Sequence, residues 1–459
     1  MEAKAVSALT VRELADDWSD EQRSRAMNLQ RVGELFEENF GRLGELGASV
    51  CVWRDGVEVL SLAGGWRDRE MTVAWTAETP VLFWSATKGL AAGCLLHALQ
   101  ERGLDPSLRV SEVWPEFAQA GKERVTIGEV MSHQAGLSAL TEPVAVTDYE
   151  AVIGALAAQA PHWRVGEGHG YHPRTFGFLV DEILRRITGG GGLGGAGCQP
   201  VLLGSLPKRE ADAPRPHASS GERLCRAGSP AAPAGSRRHP EAVTGCTMRD
   251  YWRTHFAEPL GLEAWIGAPA EIAARAAPVF PARTAPPKGD LFYTAFLTSG
   301  SFTAQSFGSP RGLHSVAALN EGSALRQSFP AFGGVGTARA LGKFYAMLAC
   351  GGELEGQRFF TPQTMEWMKT TLTQGADRVL MMETAFSAGF MRDPVGAGGG
   401  KTRAIFGPSR SAFGHPGAGG SHAFADPENR ISFAYVMNQM EPGVLPGPKS
   451  LRLIEALYA

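Results

Sequence analysis

Residues 83–99, FWSATKGLAAGCLLHAL, place a serine three positions before a lysine and follow both with an almost uninterrupted apolar run. If a helix begins at or just before Ser85, Lys88 lies one turn further on and the two side chains share a face. The run from Leu90 to Leu99 is apolar most of the way round, which predicts a buried central helix. A lysine at the mouth of such a helix loses hydration, so its pKa falls and its neutral amine can act as a base. The stretch therefore predicts a serine that is activated by a lysine.

A second S-x-x-K spacing occurs at residues 205–208, SLPK. Pro207 argues against a helix there, because proline lacks the N–H group that a helix interior needs. We therefore assign the chemistry to Ser85 and Lys88.

The composition of the 459-residue chain is that of an ordinary globular protein, with 44% hydrophobic and 20% charged residues. Its formal net charge of −3 argues against nucleic acid or an anionic membrane surface as a partner. No apolar run reaches the roughly 18 residues of a transmembrane helix, and residues 1–4 do not begin a signal-peptide core. We therefore expect a cytoplasmic protein without a membrane span, while the composition leaves its oligomeric state open.

The order of the predicted elements indicates an α+β fold. An amphipathic first helix is predicted from Val32 to Leu43, and helical signals dominate from about residue 112 to 332. Strand-like runs lie near both ends of the chain, at residues 48–53, 57–62, 421–425 and 431–437. Because these strands must meet in one sheet, we expect an antiparallel sheet flanked by helices, with a mostly helical subdomain inserted.

We predict a single catalytic domain over residues 1–459. Its sheet part covers about 25–111 and 333–459, and its helical part covers about 112–332. Residues 190–246 are rich in Gly, Pro, Ala, Ser and Arg and show no apolar period. This composition predicts a disordered, low-complexity insertion.

Two further stretches add polar groups to the serine and the lysine. Residues 168–173, GHGYHP, place Tyr171 on a loop before an amphipathic helix, where its phenol could relay a proton. Residues 413–421, FGHPGAGGS, are dense in glycine, which lets the backbone approach a ligand closely. The backbone N–H groups of Ser85 and Ala418 could then form an oxyanion hole. The three stretches together predict an acyl-transfer site.

These stretches resemble the three motifs of the serine β-lactamase and penicillin-binding-protein superfamily, S-x-x-K, Y-x-N and K-T-G, in that order. The resemblance is nearest to the class C β-lactamase and family VIII carboxylesterase branch, which often has histidine in place of the third-motif lysine. Residues 415–417, HPG, fit that variant, and residues 131–137, MSHQAGL, are similar to the H-x-x-G-L segment of the same branch. The resemblance covers roughly residues 25–189 and 247–459.

The resemblance implies a β-lactamase/transpeptidase-like fold and a role for each matching residue. Ser85 would be the nucleophile, Lys88 its base and Tyr171 the proton relay. The remaining residues expected in the oxyanion hole or beside the substrate are Ala418, His415, Gly417 and His172.

Two departures from the family's motifs favour an ester substrate. Pro173 stands where the second motif has the asparagine that binds a lactam or peptide, and the third motif has no lysine to attract a β-lactam carboxylate. Lys401 begins a K-T-R segment that lacks the glycine and the following strand, so we prefer His415 as the third motif. We therefore expect a serine hydrolase that forms an acyl-enzyme on Ser85 and acts as a carboxylesterase on short to medium acyl esters.

Several alternatives stay open for the small-molecule ester or amide substrate. They are β-lactamase activity, D-amino-acid peptidase activity, acyl transfer to an alcohol, and a non-catalytic member that binds or scaffolds. An α/β-hydrolase is disfavoured because the chain has no G-x-S-x-G elbow. Histidines and carboxylates do not fall at metal-ligand spacing, so we expect no metal and no cofactor.

Overall fold

The computed structural model describes residues 29–189 and 245–459, together with the backbone of Val6 and Ser7. Of the predicted insertion, 190–246, all but the last two residues lie outside the described ranges. Within those ranges no helix is both long enough and apolar enough to cross a membrane.

The described residues form most of their strands near the two ends of the chain and mostly helices between them. The strands are β1 (Val6–Ser7), β2 (Gly47–Arg54), β3 (Val57–Gly65), β4 (Val81–Leu82), β5 (Ala264–Ile266), β6 (Gly334–Gly336), β7 (Glu353–Leu354), β8 (Gln357–Arg358), β9 (Thr373–Ala376), β10 (Glu383–Phe386), β11 (Met391–Arg392), β12 (Phe413–Pro416), β13 (His422–Asp426) and β14 (Ile431–Met437). The α-helices are α1 (Leu29–Arg42), α2 (Thr87–Glu101), α3 (Val110–Val113), α4 (Ile127–Met131), α5 (Tyr149–Ala158), α6 (Thr175–Thr188), α7 (Met248–Trp252), α8 (Glu258–Leu260), α9 (Ala270–Arg275), α10 (Leu291–Leu297), α11 (Phe302–Gly308), α12 (Val316–Leu319), α13 (Gly322–Leu325), α14 (Ala338–Ala349), α15 (Pro362–Lys369) and α16 (Pro448–Leu457). Short 3-10 turns lie at Pro115–Phe117 and Ala418–Gly420, and a π-helical turn lies at Arg253–Ala257.

Nine of the described strands form one antiparallel sheet, in the order β1-β3-β2-β14-β13-β12-β11-β10-β9. The two ends of the chain meet at its centre, where β14 pairs with β2 from Ile431↔Arg54 to Met437↔Ala48. Every residue of β14 is buried, so this strand is covered on both faces. The antiparallel sheet and the α+β class predicted from the sequence are confirmed.

Helices cover both faces of the sheet. On one face α1 and α16 pack together, and the Phe36 ring of α1 meets the Tyr435 ring of β14 edge to face, 6.4 Å between centroids. On the other face α14 lies so close that a Cβ added to Gly342 would stand 3.2 Å from the Trp53 ring. The Ser432 hydroxyl of β14 donates to the Gly342 carbonyl at 2.7 Å. A sheet buried on both faces explains why its central strands are continuously apolar.

The helix that follows the catalytic serine candidate is the buried centre of the molecule. Every residue of α2 from Thr87 to Leu99 is buried, and the helix packs against α6 and β12. Its start was predicted at or just before Ser85, but the helix proper begins at Thr87. Trp84 has a φ of 52°, a strained value for a tryptophan, so the chain turns immediately before the serine. The spacing survives this shift, because the Lys88 N–H donates to the Ser85 carbonyl at 2.9 Å.

A small sheet in the order β4-β6-β5 fixes the strand that leads into this turn. The Thr87 hydroxyl donates to the Trp84 carbonyl at 2.6 Å and accepts from the Gly334 N–H at 2.8 Å. The start of β6 is thereby held against the start of α2, although 247 residues separate Thr87 from Gly334.

Candidate active site

Three separate parts of the chain meet in front of α2. A Cβ at Gly417, just after β12, would collide with the carbonyl oxygen of Phe83, so only glycine permits this close approach. The ring of His415 on β12 lies 5.8 Å from the ring of Tyr171, centroid to centroid. The amine of Lys88 lies 4.7 Å from the centre of the Tyr171 ring. The structure thus brings all three predicted motifs together.

The Lys88 side chain is fully buried and surrounded by oxygen atoms. Its Nζ lies 2.8 Å from the Pro173 carbonyl, 2.8 Å from the Ala331 carbonyl and 3.2 Å from Ser85 Oγ. Burial is the single cause that moves the pKa of Lys88, and it lowers that pKa well below its usual value. A neutral amine has two N–H groups and one lone pair. With the two carbonyls as acceptors of these N–H groups, a neutral amine here would have its lone pair left for the Ser85 hydroxyl.

The Tyr171 side chain lies beside both Lys88 and Ser85. Burial raises the pKa of its phenol; hydrogen bonding with Ser85 opposes that rise, and the Asp377 carboxylate adds to it. The phenol is therefore protonated near neutral pH and suited to hand a proton to a leaving group. When Lys88 accepts the serine proton, the resulting ammonium lies over the face of the Tyr171 ring, which attracts a cation.

Two backbone N–H groups are candidates for an oxyanion hole beside Ser85. The Ser85 N–H lies ahead of α2 and has no protein acceptor among the described residues. Ala418 opens the 3-10 turn Ala418–Gly420, so its N–H has no acceptor within that turn. Because Gly417 touches the backbone of Phe83, this turn lies beside the residues that lead into Ser85. Free N–H groups in this position suit the oxygen of a tetrahedral intermediate.

His415 presents a buried hydrogen-bond acceptor. Its Nδ1 lies 2.8 Å from the Pro416 carbonyl, and since a carbonyl can only accept, Nδ1 carries the ring proton. Its Nε2 is buried and has no partner among the described residues. Burial, together with the nearby Lys88, lowers the pKa of His415 to about 3, so the ring is neutral.

His172 and Lys401 are engaged elsewhere in the protein. The Leu137 N–H donates to His172 Nε2 at 2.9 Å, and His172 Nδ1 donates to the Gly170 carbonyl at 2.7 Å. This geometry favours a role for His172 in shaping the Tyr171 loop over the predicted contact with substrate. Lys401 Nζ lies 2.9 Å from Asp393 Oδ2 and donates to a loop carbonyl at 2.7 Å, so this lysine forms a local ion pair.

Two contacts to the site escaped the sequence reasoning. The Ala331 carbonyl reaches Lys88 across 243 residues of chain, and the Asp377 carboxylate accepts from the Tyr171 N–H across 206. The first is a backbone group that every residue possesses, and the second acts on a backbone N–H. No motif in the sequence marks either contact. The described ranges contain no group of three or more His, Cys, Asp or Glu side chains placed to hold a metal ion.

Comparison with known proteins identifies a family that this chain matches. A family model described as Beta-lactamase matches residues 33–193 and 240–457. Esterase/beta-lactamase LipL of Mycobacterium tuberculosis is 30% identical over 410 residues, which cover 86% of this chain and 77% of that protein.

Solved structures show the same similarity. A penicillin-binding protein homologue from Caulobacter crescentus is 34% identical with a TM-score of 0.72, over 94% of this chain and 97% of that one. A family VIII carboxylesterase is 27% identical with a TM-score of 0.73, again over 94% of this chain and 97% of that one.

Proposed function

The chain belongs to the β-lactamase family and is a serine hydrolase, and within that class we propose that it is a carboxylesterase that acts on short to medium acyl esters through an acyl-enzyme on Ser85. The observation that carries the proposal is the position of the buried Lys88 amine, 3.2 Å from Ser85 Oγ and 2.8 Å from each of two backbone carbonyls, where burial lowers its pKa.

In the proposed reaction each group acts once in acylation and once, in the reverse sense, in deacylation. Ser85 Oγ attacks the ester carbonyl carbon while Lys88 Nζ takes the hydroxyl proton, and the N–H groups of Ser85 and Ala418 bind the developing oxyanion. Tyr171 then gives its proton to the departing alcohol and regains one from Lys88. Water attacks the acyl-enzyme by the reverse proton path, which releases the carboxylic acid and restores Ser85.

Two features of the site favour an ester over a β-lactam. Where the family's second motif offers an asparagine amide, this chain has Pro173, and the Pro173 carbonyl is occupied by Lys88. The third-motif residue His415 is a neutral ring and offers no positive charge to a substrate carboxylate. β-Lactam hydrolysis remains the second candidate because the M. tuberculosis relative is named an esterase/beta-lactamase.

Parallel assays of two serine variants test the proposal. Wild type, Ser85→Ala and Ser205→Ala are given p-nitrophenyl esters from acetate to octanoate and, in the same plate, a chromogenic cephalosporin. We expect ester turnover by wild type, a loss on the order of 10⁴-fold or more in Ser85→Ala, and no change in Ser205→Ala, the serine of the second S-x-x-K. Circular dichroism checks that all three proteins are folded.

Retained turnover in Ser85→Ala would remove Ser85 as the nucleophile. A larger kcat/KM for the cephalosporin than for every ester would replace the carboxylesterase with the second candidate.

A further inference from the structure

The buried carboxylate of Asp377 accepts hydrogen bonds from the loop that carries Tyr171. Asp377 directly follows β9, and its side chain is fully buried. The Tyr171 N–H donates to both carboxylate oxygens, at 3.0 Å to Oδ1 and 3.2 Å to Oδ2. The N–H groups of Val379 and Leu380 also donate to Oδ1, each at 2.8 Å. One carboxylate therefore joins the Tyr171 loop to the turn between β9 and β10.

A chain of side-chain hydrogen bonds fixes the other side of this carboxylate. The Thr384 hydroxyl donates to Asp377 Oδ2 at 3.1 Å, and His169 Nε2 lies 2.7 Å from the same hydroxyl. Because the Thr384 hydroxyl donates its proton to Asp377, it can only accept from His169. His169 Nε2 therefore carries a proton and donates to the Thr384 oxygen. His169 Nδ1 then accepts from the Thr373 hydroxyl at 3.0 Å. Each group in the chain is satisfied in a single arrangement of protons.

We propose that Asp377 is a positioning residue for the reaction of Ser85, holding the Tyr171 backbone so that the phenol stays between Ser85 and Lys88. The inference rests on the proposed function, since it assigns the proton transfer to Tyr171. Asp377 does not touch the reacting atoms; it acts through the Tyr171 N–H and through its charge.

The charge of Asp377 adds an electrostatic effect to the mechanical one. The other titratable groups around the phenol are Lys88 from α2, His133 after α4, His415 from β12, and the loop neighbours His169 and His172. Burial lowers the pKa of every one of these, which favours their neutral forms. Asp377 is the carboxylate that raises the pKa of Tyr171 further. Removing its charge should therefore lower the pKa of the phenol.

Matched amide variants separate positioning from general stability. Asp393 is the control, because it is equally buried and also accepts backbone N–H groups, from Ile405 and Phe406, each at 3.1 Å. In Asp377→Asn we expect kcat for p-nitrophenyl butyrate to fall about 10- to 100-fold with little change in KM. Asp393→Asn should lower the melting temperature without this loss of kcat.

Each outcome of these experiments either supports or overturns the inference. Equal losses of kcat in both variants, or a loss in Asp377→Asn that lies in KM rather than in kcat, would show that Asp377 is structural and would overturn the inference. If Asp377→Asn does not fold, Thr384→Val removes one bond to Oδ2 and keeps the charge. The inference then expects a lower kcat with little change in KM, and an unchanged kcat would overturn it. Wild type that neither hydrolyses esters nor reacts at Ser85 with a fluorophosphonate would instead refute the proposed function.

Discussion

Lys88 and Lys449 are both buried, yet one lies in the candidate active site and the other in the packing between α1, α16 and the sheet. The amine of Lys88 contacts two backbone carbonyls and a hydroxyl, and no carboxylate among the described residues acts on it. The amine of Lys449 lies 3.1 Å from Glu45 Oε2 and donates to the Gln439 carbonyl at 2.9 Å. The same residue type therefore has opposite electrostatic surroundings in two regions of one core.

The difference shows how a fold can prepare a base without a special side chain. A buried charge without a partner is expensive, so a lysine among neutral acceptors gives up its proton. A lysine beside a carboxylate forms an ion pair instead, and the Glu45 carboxylate that pairs with Lys449 also accepts from the Tyr435 hydroxyl at 2.6 Å. The partner set, not the depth of burial, decides whether the amine can accept a proton from a serine.

The largest effect that would follow from this comparison is in Lys88→Ala. Removal of the base should lower kcat for p-nitrophenyl butyrate on the order of 10⁴-fold, because Ser85 then has no group positioned to take its proton. The folded state should survive, since the variant removes no ion pair. Steady-state kinetics and a thermal melt measure the two effects together. A residual activity above a few per cent would show that another group serves as the base.

Lys449→Met should give the opposite result. Breaking a buried ion pair by removing one partner leaves the Glu45 carboxylate unpaired, which costs about 3–5 kcal/mol in the free energy of unfolding. The kcat of the remaining folded protein should match wild type, because Lys449 contacts none of the site residues. Urea unfolding and active-site-normalised kinetics measure both quantities. Unfolding within 1 kcal/mol of wild type would mean that the pair is already solvated.

The parts of the molecule that depend on local pattern were predictable from the sequence. Ser85 and Lys88 are neighbours through one turn of chain, and the strands around residues 48–62 and 431–437 follow from short apolar runs. The order of the elements predicted the α+β class, and the resemblance of the three motifs to the β-lactamase superfamily implied the fold in which they meet. The start of α2 was placed too early, because the strained turn at Trp84 depends on the β4-β6-β5 sheet.

The contacts that tune the site were not predictable in the same way. The acceptors of Lys88 are backbone carbonyls brought in by remote packing, and Asp377 acts on a backbone N–H 206 residues away. In the sequence, Pro173 shows only that the asparagine of the second motif is absent. In the structure, its carbonyl orients the base. Such groups leave no side-chain pattern, so only the assembled fold reveals them.

Glu441 contacts both regions compared above, the turn that begins with Ala418 and the surroundings of Lys449. Its N–H donates to the Gly419 carbonyl at 2.8 Å, in the turn that begins with Ala418. Its Oε1 accepts from the Lys449 N–H at 3.3 Å, and its Oε2 is buried with no partner among the described residues. Burial raises the pKa of Glu441 to about 6, although Lys449 opposes the rise. This carboxyl is therefore less well paired than Glu45, and its proton should affect stability.

The smallest expected effect is a loss of stability as pH rises through the range in which Glu441 ionises. An unfolded glutamate has a pKa of about 4.3, so between that pH and the raised folded value near 6 the folded state binds more protons. The free energy of unfolding should then decline with rising pH, by up to about 2 kcal/mol in total. Glu441→Gln keeps the size and cannot ionise, so its urea unfolding curve from about pH 4 to pH 8 should lack this share of the decline. The difference between the two proteins isolates Glu441 from every other carboxyl, because all of them are common to both. If the two curves instead run parallel, Glu441 takes up no extra proton on folding.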